Sequence, residues 1–68
     1  MRNTVKVARA RKDVTQAKLA DLVQVSRQTI VALENNKISP STLLAKKIGS
    51  VLDTSVDELF LLEENDWS

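Results

Sequence analysis

The most informative segment of the sequence runs from residue 15 to residue 37 and reads TQAKLADLVQVSRQTIVALENNK. Thr15 and Ser26 stand at positions where a side-chain oxygen caps the start of a helix. The apolar spacing after each predicts helices over residues 16–23 and 27–35. Because only Gln24 and Val25 separate the first of these helices from the next cap, the two must cross steeply, as in a helix-turn-helix unit.

Outside this segment the chain also favours helices. A first helix is expected to begin at Asn3 or Thr4 and to end near residue 12. Pro40 and Ser41 precede a fourth helix, and Ser55 precedes a short fifth one. These two helices are predicted over residues 42–52 and 56–60. The expected fold class is all-α, a compact five-helix domain.

The composition limits the possible functions. A chain of 68 residues predicts a single domain over residues 1–68. It contains no Cys, no His and one Gly, which argues against disulfides, zinc sites, common catalytic bases and glycine-rich phosphate loops. No apolar run is long enough to span a bilayer. We therefore expect a cytoplasmic protein that is not an enzyme, with no cofactor, metal, membrane partner or evident small-molecule ligand.

The charge is distributed unevenly. Residues 1–37 carry eight Lys and Arg against three Asp and Glu, a net charge of +5, whereas residues 38–68 carry a net charge of −4. A basic half presents an anion-binding face in some proteins and an ordinary solvated surface in others. On charge alone these two interpretations are equally good.

The motifs of the segment carry a family resemblance. They are T-Q-x-x-L-A at residues 15–20, V-S-x-x-x-I at residues 25–30 and E-N-N-K at residues 34–37. The match continues through Pro40, Leu44 and Ile48 to residues 56–60, so it covers residues 3–60. The chain resembles the Xre or lambda-repressor-like helix-turn-helix family of transcriptional regulators. The resemblance implies a DNA-binding domain whose third helix reads the major groove.

The third predicted helix carries side chains suited to reading bases. With Ile30 and Leu33 directed inward, its opposite face displays Arg27, Gln28, Val31 and Ala32. Arg contacts guanine and Gln contacts adenine from the major groove. For the two apolar residues two alternatives stand: they pack on thymine methyl groups, or they make no contact and leave specificity to Arg27 and Gln28.

Contacts to the DNA backbone are expected around the same helix pair. The resemblance implies that Gln16 clamps the backbone and that Ser26 contacts DNA near the start of the third helix. Further phosphate candidates are Thr29, Asn35 and Lys37, whereas Lys6, Arg11 and Lys12 are interpreted as solvated charges. Arg9 and Glu34 occupy positions that the family pairs, which predicts a structural ion pair.

The chain departs from the family pattern at its turns. Asn36 replaces the usual glycine after the third helix, and Asn tolerates the left-handed conformation. Gln24 and Asp13 also stand where glycine is common in the family, so strained or differently shaped turns are expected there.

The function implied is sequence-specific binding of double-stranded DNA by a homodimer, acting as a repressor on a palindromic operator. Two copies are needed because one reading helix covers few base pairs. The helix-turn-helix is placed at about residues 15–35 and the dimer surface in residues 55–68, where Leu61, Leu62 and Trp67 are the predicted contacts. The alternative is an antitoxin or other protein-interaction module that binds DNA to regulate itself.

Overall fold

The computed structural model describes residues 2–63 and contains five helices and one pair of short strands within them. In chain order the elements are β1 (Arg2–Asn3), α1 (Val5–Arg11), α2 (Gln16–Leu22), α3 (Arg27–Glu34), α4 (Thr42–Leu52), α5 (Val56–Leu59) and β2 (Phe60–Leu61). The prediction of five helices is confirmed. The bounds of α4 are as predicted, and α1, α2, α3 and α5 each end one residue earlier than expected.

The strand pair is an addition to the expected all-α architecture. β1 pairs antiparallel with β2, with Arg2 opposite Leu61 and Asn3 opposite Phe60. Next to it, the Thr4 backbone N–H donates to the Leu59 carbonyl at 2.8 Å. Strands of two residues are too short to produce an alternating pattern in the sequence. Phe60 was therefore assigned to the fifth helix, whereas it begins β2.

Side-chain capping fixes the starts of four helices. The hydroxyls of Thr15, Ser26, Ser41 and Ser55 each accept a backbone N–H three residues ahead, at 3.0 to 3.2 Å. Each bond satisfies one of the backbone donors that a helix start leaves open. Thr4, at the start of α1, makes no such bond, and its hydroxyl donates instead to the Glu58 carbonyl at 2.9 Å.

The core collects apolar residues from all five helices and from β2. Leu22 is 47% exposed, because it lies at the edge of the stripe that Leu19, Ala20 and Val23 form. Leu44 and Val51 of α4 are half-buried against the core. The buried residues are Val5, Ala8, Leu19, Ala20, Val23, Ile30, Leu33, Ala45, Ile48, Leu52, Leu59 and Phe60.

Each of the helices α1 to α4 is followed within two residues by a left-handed residue that is not glycine. Asp13, Gln24, Asn36 and Asp53 have φ values of 55°, 65°, 59° and 51°. After each of them the next N–H bonds back to a carbonyl five residues earlier, as from Val25 to Ala20 at 3.0 Å. This is the Schellman arrangement that usually employs glycine. The turns thus keep the shape expected of glycine, and three of the four positions were singled out from the sequence.

The one glycine of the chain is used for close packing instead. Gly49 is buried in α4, and a Cβ built on it would lie 2.8 Å from the Thr54 carbonyl oxygen. A side chain at this position would force backbone to move. The glycine therefore allows the segment leading into α5 to approach α4.

Relief of strain at Gln24 gives a first prediction. A left-handed conformation costs a non-glycine residue about 1–2 kcal/mol, and glycine loses part of that gain as backbone entropy. We expect Gln24→Gly to raise the free energy of unfolding by about 0.5–1 kcal/mol in urea denaturation. Gln24→Ala also removes the exposed bond from the Lys47 ammonium to Gln24 Oε1 (3.1 Å) but keeps the strain. A gain as large for Ala as for Gly would contradict this explanation.

Candidate nucleic-acid interface

The exposed face of α3 begins with two long polar side chains. Arg27 and Gln28 lie in its first turn and are exposed. Val31 and Ala32, expected on the same face, are half-buried. The most exposed part of this face of α3 is therefore its N-terminal turn.

The hydroxyls at the start of α3 bond to each other. Ser26 Oγ accepts the backbone N–H of Thr29 at 3.1 Å and lies 2.9 Å from Thr29 Oγ1. Ser26 is exposed and Thr29 is half-buried. The two residues fix the first turn of α3 and so orient Arg27 and Gln28 between them.

The last residue of α3, Glu34, has a nearly buried carboxylate that pairs with Arg9 of α1. Arg9 Nε donates to Glu34 Oε2 at 2.6 Å and Arg9 Nη2 donates to Glu34 Oε1 at 3.0 Å. The two side chains are 13% and 4% exposed. The hydrogen bond to Glu34 raises the pKa of Arg9 above its ordinary value, although burial acts in the opposite direction. The ion pair implied by the resemblance is thus present, and its bidentate geometry is the strong form of such a pair.

The same carboxylate also orients Gln16. Its side-chain Nε2 donates to Glu34 Oε1 at 3.1 Å, while Arg9 Nη1 donates to the Val14 carbonyl at 2.9 Å. These bonds link α1, the start of α2 and the end of α3 through one polar cluster. An amide nitrogen has two hydrogens, so Gln16 keeps one donor beyond the bond to Glu34.

A basic cavity lies beside this cluster. Its volume is about 470 Å³ and it opens between α1 and the starts of α2 and α3. It brings together Arg9, Gln16 and Arg27, and it adds Lys6, which sequence reasoning treated as a solvated charge. Lys6 and Arg9 are three residues apart on α1, a spacing that places both on one helix face and was the available signal. The lining residues are Lys6, Arg9, Thr15, Gln16, Ala17 and Arg27.

The segment after α3 is held by the N-terminal strand. Asn3 Nδ2 donates to the Leu33 carbonyl at 2.8 Å and to Asn36 Oδ1 at 2.9 Å. Asn35 and Lys37 flank this anchor and are exposed. Arg11 and Lys12 are exposed elsewhere, and Lys12 lies 3.8 Å from the Asp53 carboxylate.

A second, apolar surface lies at the other end of the chain. Leu61 and Leu62 are 42% and 57% exposed, whereas Phe60 and Leu52 belong to the core. Next to them runs a groove of about 320 Å³, called here the C-terminal groove, whose walls come from the α3–α4 loop, α4, α5 and the chain after β2. Trp67, the third predicted dimer contact, lies outside the described residues.

Residues 2–63 lack two features that would indicate other kinds of function. Over that range no helix has the length and apolar character needed to cross a membrane. The same residues contain no group of three or more acidic, His or Cys side chains placed to hold a metal ion.

Known proteins resemble this chain over nearly its whole length. The family model HTH_3, described as helix-turn-helix, matches residues 5–59. A Bacillus subtilis protein named as the uncharacterized HTH-type transcriptional regulator YgzD is 44% identical, over 94% of this chain and 97% of its own length. An Archaeoglobus fulgidus protein with the same kind of name is 41% identical, over 97% of this chain and 93% of its own. A Methanocaldococcus jannaschii protein, named as the uncharacterized HTH-type transcriptional regulator MJ0272, is 39% identical, over 97% of this chain and 100% of its own length.

Proposed function

This chain belongs to the Xre/lambda-repressor-like helix-turn-helix family, and from that premise we propose that it represses transcription as a homodimer on a palindromic operator. The relatives carry the name of transcriptional regulators. The observation that carries the proposal is the exposure of Arg27 and Gln28 on the first turn of α3. In a helix-turn-helix protein that turn enters the major groove.

Base reading is assigned chiefly to the two polar side chains. Arg27 donates in bidentate fashion to guanine, and Gln28 pairs with adenine. Val31 and Ala32 are half-buried, so they offer a small apolar contact to a thymine methyl group. Specificity then depends mainly on Arg27 and Gln28.

The residues that line the basic cavity are proposed to contact the DNA backbone. Lys6 brings an exposed positive charge to it. Gln16 lines the cavity and keeps one amide hydrogen that is not used in the bond to Glu34. Phosphate contacts of this kind set affinity and register without reading sequence. Ser26 and Thr29 at the start of α3, and Asn35 and Lys37 after its end, complete the proposed backbone contacts.

The dimer is proposed to form through the C-terminal end of the chain. Leu61 and Leu62 are exposed there, and exposed apolar side chains next to a groove are a common mark of an interface. In such a dimer the two α3 helices are proposed to lie about 34–36 Å apart, one turn of DNA. Trp67 is a further proposed contact.

In this proposal the dimer represses transcription by occupying its operator. A dimer seated in two successive major grooves blocks access of the polymerase to an overlapping promoter. The relatives are archaeal and bacterial proteins, so the proposed place of action is the cytoplasm, where the chromosome lies in such cells.

The test is selection from randomised duplex DNA at about 150 mM salt, because nonspecific binding is weak in that range. The wild type is compared with Arg27→Ala/Gln28→Ala and with Arg11→Ala, which removes one exposed positive charge outside the basic cavity. We expect a palindromic sequence to be enriched by the wild type and by Arg11→Ala, and not by the double variant. Equal enrichment by the double variant would refute reading through α3. No enrichment by any of them would favour a protein-interaction module.

A further inference from the structure

The C-terminal groove is an apolar site on the protein surface. It measures about 320 Å³, and carbon atoms dominate its lining. Phe60 forms part of it at 8% exposure, while Val56 and Leu62 at its sides are 36% and 57% exposed. Its position between α4, α5 and the chain after β2 makes it continuous with the proposed dimer surface. It is lined by Pro40, Ala45, Lys46, Val56, Phe60 and Leu62, among others.

The chain that follows the described residues starts at this groove. Leu62 lines the groove, and residues 64–68 begin two positions later. They include Trp67, which with Phe60 makes up all the aromatic residues of the sequence. Trp67 is five positions after Leu62 in the sequence, a reach of at most about 18 Å. An aromatic side chain such as Trp removes about 150–250 Å² of surface from water when it is buried. An apolar groove within reach would allow Trp67 to bury that surface.

The charge distribution also favours binding of the C-terminal segment, residues 63–68, to this groove. Glu63, Glu64 and Asp66 precede Trp67, so the segment is strongly acidic. Lys46, one of two cations in residues 38–68, lines the groove and is exposed. A segment that places an indole in the groove therefore brings its carboxylates toward a cation.

We propose that the C-terminal groove binds Trp67 of a second copy of this chain, and that the exchange is reciprocal. This rests on the homodimer proposed above and names the residue that joins its halves. Leu62 forms one wall of the groove, and the exposed Leu61 and Leu62 belong to the proposed dimer surface, so a second copy docked there lies next to the groove. A two-fold axis makes the exchange reciprocal, because each chain has both the groove and Trp67.

The experiment uses the fluorescence of Trp67 in the full chain. The sequence has one Trp and no Tyr, so the emission reports this side chain alone. On raising the concentration from below 1 μM to about 100 μM, a range that covers typical weak dimers, we expect the emission to move to shorter wavelength. Acrylamide quenching should fall over the same range, and sedimentation should show dimer formation with the same midpoint.

Variants connect that signal to the groove. Val56→Glu places a carboxylate in it at an exposed first-turn position of α5, where an acidic residue suits the helix. Leu43→Glu is the matched control, since Leu43 is 64% exposed in the first turn of α4 and does not line this groove. We expect Val56→Glu to raise the Kd of the dimer at least about tenfold and to abolish the spectral shift, and Leu43→Glu to behave as wild type.

A mixing experiment identifies which chain supplies the indole. Trp67→Ala keeps an intact groove but has no Trp, and Val56→Glu keeps Trp67 but has a blocked groove. Each variant alone is expected to give no shift. Mixed, they form a heterodimer in which Trp67 of one chain meets the open groove of the other, so the shift should return.

Three results would overturn the proposal. They are a short-wavelength emission independent of concentration, which means insertion into the same chain; a shift that Val56→Glu leaves unchanged; and a mixture that fails to recover the shift. None of these readouts involves DNA. If the selection succeeds while the fluorescence test fails, only this assignment is lost, and the reverse result removes the operator-binding proposal alone.

Discussion

Arg9→Ala is expected to lower the free energy of unfolding by about 3–5 kcal/mol, because it leaves a nearly buried carboxylate without its cation. Glu34 is 4% exposed, and both of its oxygens accept bonds from Arg9. Proteins have a free energy of unfolding of about 0.05–0.15 kcal/mol per residue. The free energy of unfolding of this chain is therefore on the order of 3–10 kcal/mol. The loss is thus a large fraction of the total, and the variant should unfold at a much lower urea concentration than the wild type, as circular dichroism of the helices would detect.

Two controls separate the ion pair from a general loss of charge. Lys12→Ala breaks the pair with Asp53, whose partners are 46% and 88% exposed, and should change stability by less than about 0.5 kcal/mol. Arg9→Met/Glu34→Leu replaces both charges by apolar groups and should recover most of the loss. If Arg9→Ala and Glu34→Ala simply add in a double-mutant cycle, the pair does not stabilise the fold.

Arg27→Ala is expected to cause the largest loss of operator affinity among the base-reading residues. A bidentate contact to guanine contributes about 1–3 kcal/mol, and a homodimer makes it twice. The loss is thus about 2–6 kcal/mol for the whole operator, or roughly 30-fold to 10⁴-fold in Kd. Titration of a labelled operator at fixed salt measures it. A set of operators altered at one base pair should show that discrimination at that position has disappeared.

Lys37→Ala provides the contrast, because Lys37 is proposed to contact phosphate. Its removal should weaken binding to all sequences alike and reduce the slope of log Kd against log salt by about one for each protomer. Arg27→Ala should instead lose discrimination between sequences. If the two variants behave alike, Arg27 contributes charge and does not read bases.

Glu34 connects the stability of the fold to the proposed backbone contact. Its Oε1 accepts hydrogen bonds from Arg9 Nη2 of α1 and from the side-chain amide of Gln16 on α2. The carboxylate therefore fixes the spacing between the two helices of the helix-turn-helix unit. A side chain held in this way loses less freedom when it contacts a phosphate.

Local patterns in the sequence were enough to locate the helices and their ends. The caps at Thr15, Ser26, Ser41 and Ser55 could be predicted because each bond joins residues three positions apart. The turns at Asp13, Gln24 and Asn36 could be singled out because the family has glycine there. Asp53 closes α4 in the same conformation and was missed, since the residues around it carry no comparable signal.

The features that escaped prediction depend on residues distant in the chain. The pairing of β1 with β2 joins residues 2–3 to residues 60–61, and Asn3 reaches across 33 positions to Asn36. The basic cavity gathers Lys6 with Arg27, and the C-terminal groove gathers Pro40 with Leu62. Nothing in a local pattern fixes such distances, because they follow from how whole helices pack.

The sequence by itself therefore determined the five helices, the side-chain caps at the starts of four of them and the exposure of Arg27 and Gln28 on α3. Hydrogen bonds within one turn and apolar spacing along one helix are local, so the order of residues specifies them. Only the tertiary structure decided that Val31 and Ala32 are half-buried, that Leu22 faces outward and that Lys6 joins the basic cavity. Burial depends on what the neighbouring helices cover, and that is settled when the helices pack around a common core.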